Sequence, residues 1–105
     1  MTLKSSLRDL EQAFSAPIGD GFKFAYRVSS AAAEVCEYIW EERTEKDVVQ
    51  DKVLPLMKDA CRLIKEVYPI DREGIFEIMI ERTNNLKRYL RGERSDFARA
   101  VAPAA

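Results

Sequence analysis

The chain has 105 residues, of which 47% are hydrophobic and 33% charged, and its formal net charge is -1. Glycine and proline are too scarce for a disordered or collagen-like protein, and the near-zero charge gives no global attraction to nucleic acid or anionic membranes. The composition therefore predicts one soluble helical domain over residues 1–105, able to bury a core without disulfides or a structural metal.

The first apolar stripe predicts a short amphipathic helix over residues 4–15. Its members recur at intervals of four, three and four residues, which places them on one helical face: Leu3, Leu7, Leu10 and Phe14. Pro17, followed by two glycines, ends this helix and predicts a loop.

A second, longer helix is predicted from residue 22 to residue 43. Its apolar face is broad, with a central stripe and flanking residues: Ala25, Val28, Ala32, Val35 and Ile39, flanked by Phe24, Ala31, Cys36 and Trp40. We do not expect one small bundle to cover such an arc, so the pattern favours a homodimer.

The third helix is predicted by an alternation of four and three residues that ends at Val67. Its stripe is Val49, Val53, Leu56, Ala60, Leu63 and Val67, with Met57, Cys61, Ile64 and Tyr68 alongside. Thr44 is the predicted N-cap, and Pro55 should kink the helix or mark its first firm turn. One continuous helix over 21–68 is the alternative, but residues 41–46 have no apolar side chain, which favours a bend.

The fourth helix is predicted to begin after Asp71, which would cap it with Glu73 in the first turn. Its stripe is Ile75, Met79, Leu86 and Leu90, flanked by Phe76, Ile80, Thr83 and Tyr89, and Gly92 should end it. Residues 93–105 are predicted to be a partly ordered tail in which Phe97, Ala98 and Val101 form a last helical turn. Short connections between long helices predict an all-α, up-and-down antiparallel bundle of three long helices and one short N-terminal helix.

Several kinds of chemistry are improbable because the sequence has no histidine, the commonest general base and a frequent metal ligand. Cys36 and Cys61 belong to separate apolar helical stretches, so we expect both in the core and neither as a nucleophile. With no apolar leader in the sequence, two such cysteines favour a reduced, cytoplasmic setting. No apolar run approaches the roughly 18 residues of a membrane span, so we expect no membrane partner.

Charge is distributed unevenly along the chain. Residues 34–52 carry seven acids against three bases, and residues 82–105 carry six bases against two acids. Glutamates four residues apart repel one another near a helix C-terminus, so a cationic neighbour is expected. In an up-and-down bundle the second and fourth helices run parallel, which would bring the two clusters to one end. The candidate partner-binding residues are therefore Glu37, Glu41, Glu45, Lys87, Arg88 and Arg91.

Three hypotheses about function follow from these patterns. The favoured one is a non-enzymatic protein–protein interaction module, an adaptor, assembly factor or regulator that needs no cofactor and acts as a helical homodimer. The second is nucleic-acid binding through the basic C-terminal end: Arg82, Lys87, Arg88, Arg91, Arg94 and Arg99, with Tyr89 and Phe97 interleaved. The third is an all-α nucleotide hydrolase that holds Mg²⁺ with carboxylates, for which Glu34 and Glu37 have the required spacing but no partner motif follows on a later helix.

Overall fold

The structure is a computed structural model that describes residues 2–92, and over this part of the chain it is helical without strands. Four helices are present there, an arrangement compatible with a helical bundle. The predicted last turn at Phe97, Ala98 and Val101 lies outside the described residues.

Helix α1 spans Leu3–Ser15, one residue longer than predicted. It begins with a capping box, in which the Thr2 hydroxyl accepts from the Ser5 amide at 3.2 Å and the Thr2 amide donates to the Ser5 hydroxyl at 3.1 Å. Leu10 is fully buried, and the other three members of the predicted stripe pack partly buried against the core.

Helix α2 spans Gly21–Glu42 and is capped by the Asp20 carboxylate, which accepts from the Lys23 amide at 3.0 Å. All five residues of its predicted stripe are fully buried, and α2 packs against each of the other three helices. The other helices of the same chain therefore bury most of the apolar face of α2, which we expected a second copy to cover.

A sharp break follows α2, as the absence of apolar residues at 41–46 predicted. Arg43 has a left-handed backbone with φ of 52°, and the Thr44 amide donates back to the Ile39 carbonyl at 3.3 Å. These two features together form a Schellman-type helix end. The alternative of one continuous helix is therefore wrong.

Helix α3 consists of three consecutive segments: an α-helical turn at Lys46–Val48, a π-helical turn at Val49–Val53, and an α-helix at Leu54–Val67. Pro55 lies in the first turn of the last segment, where it has no amide hydrogen to donate. The wide π turn ends at Leu54, whose amide donates to the Val49 carbonyl five residues back. Pro55 thus marks the first firm turn, as predicted.

Two predictions for α3 need correction. Thr44 does not cap the helix, because Glu45 occupies the N-cap position without a side-chain hydrogen bond, and within residues 2–92 the Thr44 hydroxyl has no hydrogen-bond partner. The buried stripe also differs after Val53, since a π turn takes up more residues than an α turn and rotates the face that follows it. The residues buried there are Met57, Ala60, Cys61 and Ile64, while Leu56, Leu63 and Val67 are only partly buried.

Helix α4 spans Ile75–Leu90, and Gly92 follows it with φ of 80°. Asp71 does cap this helix, but from a distance: its carboxylate accepts from the Phe76 amide at 2.9 Å and the Glu77 amide at 3.2 Å. Gly74 holds the N-cap position instead, because its φ of 71° turns the chain into the helix. Glu73 precedes the helix rather than lying in its first turn, and it accepts a hydrogen bond from the Tyr68 hydroxyl.

Candidate functional site

The six predicted partner-binding residues lie in the C-terminal halves of α2 and α4 and in the turns that follow these two helices. All are exposed except Arg88, which is partly buried and lies 3.4 Å from the Asn85 side-chain oxygen. Arg62 and Asp59 of α3, which belong to neither charge cluster, form a salt bridge at 3.4 Å.

The ends of α2 and α4 are brought together by aromatic contacts. The rings of Trp40 and Tyr89 meet edge to face with centroids 4.9 Å apart, and the Tyr89 hydroxyl donates to the Thr44 carbonyl. These contacts bring the C-terminal end of α4 next to the C-terminal end of α2. Trp40 acts as a packing residue at this end.

A groove that was not predicted from the sequence runs between α2 and α4. We call it the α2/α4 groove. One part has a volume of about 220 Å³ and is lined by Ala33, Cys36, Glu37, Trp40, Ile78, Glu81, Arg82 and Asn85. The adjoining part, of about 460 Å³, is lined by Phe22, Tyr26, Ser29, Ser30, Ala33, Glu73, Ile75, Ile78 and Arg82. Ala33, Ile78 and Arg82 line both parts, so the two cavities form one continuous surface.

Large apolar side chains remain exposed along this groove. Tyr26 is 61% exposed, Ile78 40% and Phe22 38%. The Phe22 ring lies 6.2 Å from Tyr26 and 5.8 Å from Tyr68, which makes an aromatic cluster at the N-terminal end of α2. Rigid aromatic rings beside an exposed isoleucine are typical of protein-binding surfaces.

Arg82 lies where the two parts of the groove meet. Its guanidinium Nη1 donates to the Ser29 carbonyl at 2.7 Å and to the Ser29 hydroxyl at 2.8 Å. Burial lowers the pKa of Arg82, while Cys36 and the carboxylates of Glu37 and Glu81 act in the opposite direction. In the sequence, Arg82 belongs to the basic C-terminal segment, but its side chain binds α2.

A signal for this contact was present in the sequence. Ser29 lies four residues after Ala25 on the buried face of α2, and Arg82 lies three residues after Met79 on the buried face of α4. A polar residue within each of two core stripes indicates a hydrogen-bonded pair, because a buried polar group without a partner is costly.

The thiol of Cys36 also faces this groove but is poorly suited to nucleophilic chemistry. The residue keeps some solvent exposure, yet burial of the thiol raises its pKa to about 12; Arg82 opposes the shift and Glu37 adds to it. Cys61 is buried 3.6 Å from the Thr83 hydroxyl, and its pKa is also raised by burial. Both cysteines are free thiols, and their high pKa values agree with the expectation that neither is a nucleophile.

The described residues offer no ready metal site. Glu34 and Glu37 are both exposed, and across residues 2–92 no three His, Cys, Asp or Glu side chains are close enough to hold a metal ion. In the same part of the chain, none of the helices has the length and apolar character needed to cross a bilayer.

Comparisons of the chain with protein-family models, with curated proteins and with solved structures find no match. The candidate site therefore has to be interpreted from its own geometry.

Proposed function

We propose that this protein is a small, non-enzymatic protein–protein interaction module, a homodimeric adaptor, assembly factor or regulator that works in the cytoplasm. Its binding surface is the α2/α4 groove together with the charged end formed by Glu37, Glu41, Glu45, Lys87, Arg88 and Arg91. The two free thiols, Cys36 and Cys61, support a reduced compartment.

The observation that carries this proposal is the exposed apolar lining of the groove around a fixed arginine. Interface centres are enriched in aromatic residues and arginine, and their anchors contribute most when they are already rigid. Tyr26, Phe22 and Ile78 supply exposed apolar area, and the bonds to Ser29 hold Arg82 in one position. Such a surface can bind a partner without ordering many side chains on binding.

The charged end forms the rim of this surface. Exposed charges at a rim contribute little affinity, about 0 to 1 kcal/mol per pair, but they steer the encounter and disfavour partners of the wrong charge. Acids of α2 and bases of α4 at the same end give the rim both signs of charge. That mixture supports a protein partner over a nucleic acid, which favours a concentrated basic patch.

An up-and-down order of the helices is part of the proposal. Ser29 and Arg82 meet near the middle of α2 and α4, and Thr44 and Tyr89 meet beyond the C-terminal end of α2. From the first contact to the second, the residue numbers rise along both helices. This supports the parallel course that an up-and-down bundle gives to its second and fourth helices.

A pair of isoleucines on α4 allows a well-controlled test. Ile78 lines the groove and is 40% exposed, whereas Ile80 is 39% exposed and does not line it. Because helical residues two positions apart point in nearly opposite directions, glutamate at either position adds the same charge at a different face.

The experiment is affinity capture from the native cell with the wild type, Ile78→Glu and Ile80→Glu, each with and without nuclease treatment. We expect the wild type and Ile80→Glu to retain the same partner proteins, and Ile78→Glu to lose them. Circular dichroism checks that both variants are folded. Identical capture by the two variants, or partners that disappear with nuclease in the wild type, would contradict the proposal.

A further inference from the structure

The lining of the α2/α4 groove carries both signs of charge. Arg82 and Glu81 of α4 and Glu37 of α2 all line the part of the groove that also contains Trp40, and both carboxylates act electrostatically on Arg82. We propose that the groove is the interface of a two-fold symmetric homodimer, in which Arg82 of each copy faces Glu37 and Glu81 of the other. This inference rests on the proposed function and names the occupant of the groove: a second copy lies there, and the charged end is the part of the binding surface that meets other proteins.

Self-complementary charge is the first argument for a second copy as the occupant. In a two-fold interface the same patch meets itself, so it must contain both partners of every ion pair. A guanidinium has five N–H donors, and Ser29 accepts from Nη1 alone. Donors therefore remain on the other nitrogens of Arg82, and a carboxylate is the group that matches a guanidinium in geometry and charge.

The size of the face fits a small interface. Helices α2 and α4 have 22 and 16 residues, so they run side by side over about 24 Å at most, and two packed helices are about 20 Å wide. The α2/α4 face therefore measures roughly 480 Å² in projection, which corresponds to the low end of specific interfaces rather than to the standard size of about 800 Å² per partner. A second copy of the same face would cover Tyr26, Ile78 and Phe22 together.

The shape of the groove agrees with close packing of helices. Ala33 lines both parts of the groove between the larger residues Tyr26 and Trp40. A small residue at this position allows a helix of the second copy to approach α2 closely. Ile78 of α4 lines the same two parts of the groove as Ala33, and it would be the apolar anchor of each copy.

The first test is sedimentation equilibrium over a concentration series with the wild type, Ile78→Glu and Ile80→Glu. We expect a wild-type dimer, an unchanged dissociation constant for Ile80→Glu, and a dissociation constant at least tenfold higher for Ile78→Glu. If Ile78→Glu does not fold, Tyr26→Glu replaces it, because Tyr26 is 61% exposed and its side chain is not part of the core.

The second test addresses the charges. Glu37→Arg would place a second positive charge opposite Arg82 in each of the two symmetry-related contacts. We expect the dissociation constant of the dimer to rise at least tenfold. Glu66→Arg makes the same change of charge at an exposed position on α3, and it should leave the dissociation constant unchanged. High salt should reduce the difference between the two variants.

The outcomes separate this inference from the proposed function. A dimer that responds equally to Ile78→Glu and Ile80→Glu would overturn the assignment of the interface and leave the homodimeric module intact. A wild type that is monomeric at all concentrations would overturn both the inference and the homodimer in the proposed function. The capture experiment then decides by itself whether the groove binds a different protein.

Discussion

Arg82 and Ser29 join α4 to α2 through one guanidinium nitrogen, which donates to the serine carbonyl at 2.7 Å and to its hydroxyl at 2.8 Å. Ser29 is 8% exposed, so both acceptors are largely shielded from water. Hydrogen bonds from a charged donor to shielded acceptors are stronger than neutral ones. This contact fixes the side chain on which the proposed interface depends.

Replacing Arg82 by methionine should lower the free energy of unfolding by about 1.5 to 3 kcal/mol, because the charged hydrogen bonds are lost while most of the apolar stem is kept. Ser29→Ala removes only the hydroxyl and should cost about 1 kcal/mol. Urea denaturation measures both changes.

A double-mutant cycle tests whether the two effects belong to one contact. In the Arg82→Met background, Ser29→Ala should cost less than it does alone, since its donor is already absent. Arg8→Met, at an exposed position on α1, is the control and should stay within about 0.5 kcal/mol of the wild type. Additive effects of Ser29→Ala and Arg82→Met would contradict the contact.

Gly21 should resist substitution because it lies against the end of α3. A Cβ atom at Gly21 would lie 2.4 Å from the Val67 carbonyl oxygen, and this neighbour belongs to the backbone, which cannot rotate away. We expect Gly21→Ala to destabilise the protein by about 1 to 3 kcal/mol, even though alanine is the better helix former. The amide resonances of Val67 and Tyr68 should also shift.

Gly19 provides the comparison for this prediction. An added Cβ there meets nothing within 4 Å, but φ is 52°, so Gly19→Ala should cost about 1 to 2 kcal/mol through the left-handed backbone alone. It should leave the resonances of Val67 and Tyr68 in place. Shifts of equal size in both variants would argue against a local clash at Gly21.

The helices were predictable because each buries a regular stripe. The predicted bounds of α1 and α2 differ from the observed ones by one residue, and the five stripe residues of α2 are fully buried. A break after α2 was also predictable, since residues 41–46 offer nothing to bury. These features depend on local periodicity, which a sequence carries directly.

The stripe of α3 shows where periodicity fails. An alternation of four and three fits an α-helix throughout, but the π turn at Val49–Val53 rotates the following segment and buries Met57 in place of Leu56. Pro55 indicates that a hydrogen bond is missing, although it does not indicate how the preceding turn compensates. The α2/α4 groove was not predicted for a related reason. The angles at which helices pack decide which side chains a neighbouring helix covers, and these angles cannot be read from the sequence.

Arg43 is expected to be a site where glycine stabilises the protein. Its φ of 52° is left-handed, a conformation that costs a residue with a Cβ about 1 to 2 kcal/mol. Glycine at this position would avoid that cost. Part of the resulting stabilisation is offset, because glycine is more flexible in the unfolded chain. Arg43→Gly should therefore raise the free energy of unfolding by about 0.5 to 1 kcal/mol, measured by urea denaturation. Arg43→Ala removes the same charge but keeps a Cβ, so it should show no such gain. Equal effects of glycine and alanine would assign the change to charge.

Cys36 should make the protein less stable in alkali. Burial raises the pKa of its thiol from 9.0 to about 12 in the folded protein, so between these values the unfolded chain releases a proton that the folded chain retains. Ionisation then favours the unfolded state, and the stability contributed by Cys36 is complete below about pH 9 and decreases as pH rises toward 12. Burial also raises the pKa of Cys61 and Tyr89, so other groups add to the same trend.

Removing the thiol isolates its share of this pH dependence. We expect the urea midpoint of Cys36→Ala to fall less between pH 7 and pH 10 than that of the wild type, because alanine has no proton to lose. Ser30→Ala, a non-titrating change at an exposed position of α2, should keep the full wild-type decrease. An equal decrease in Cys36→Ala and the wild type would show that the Cys36 thiol ionises as readily in the folded protein as in the unfolded chain.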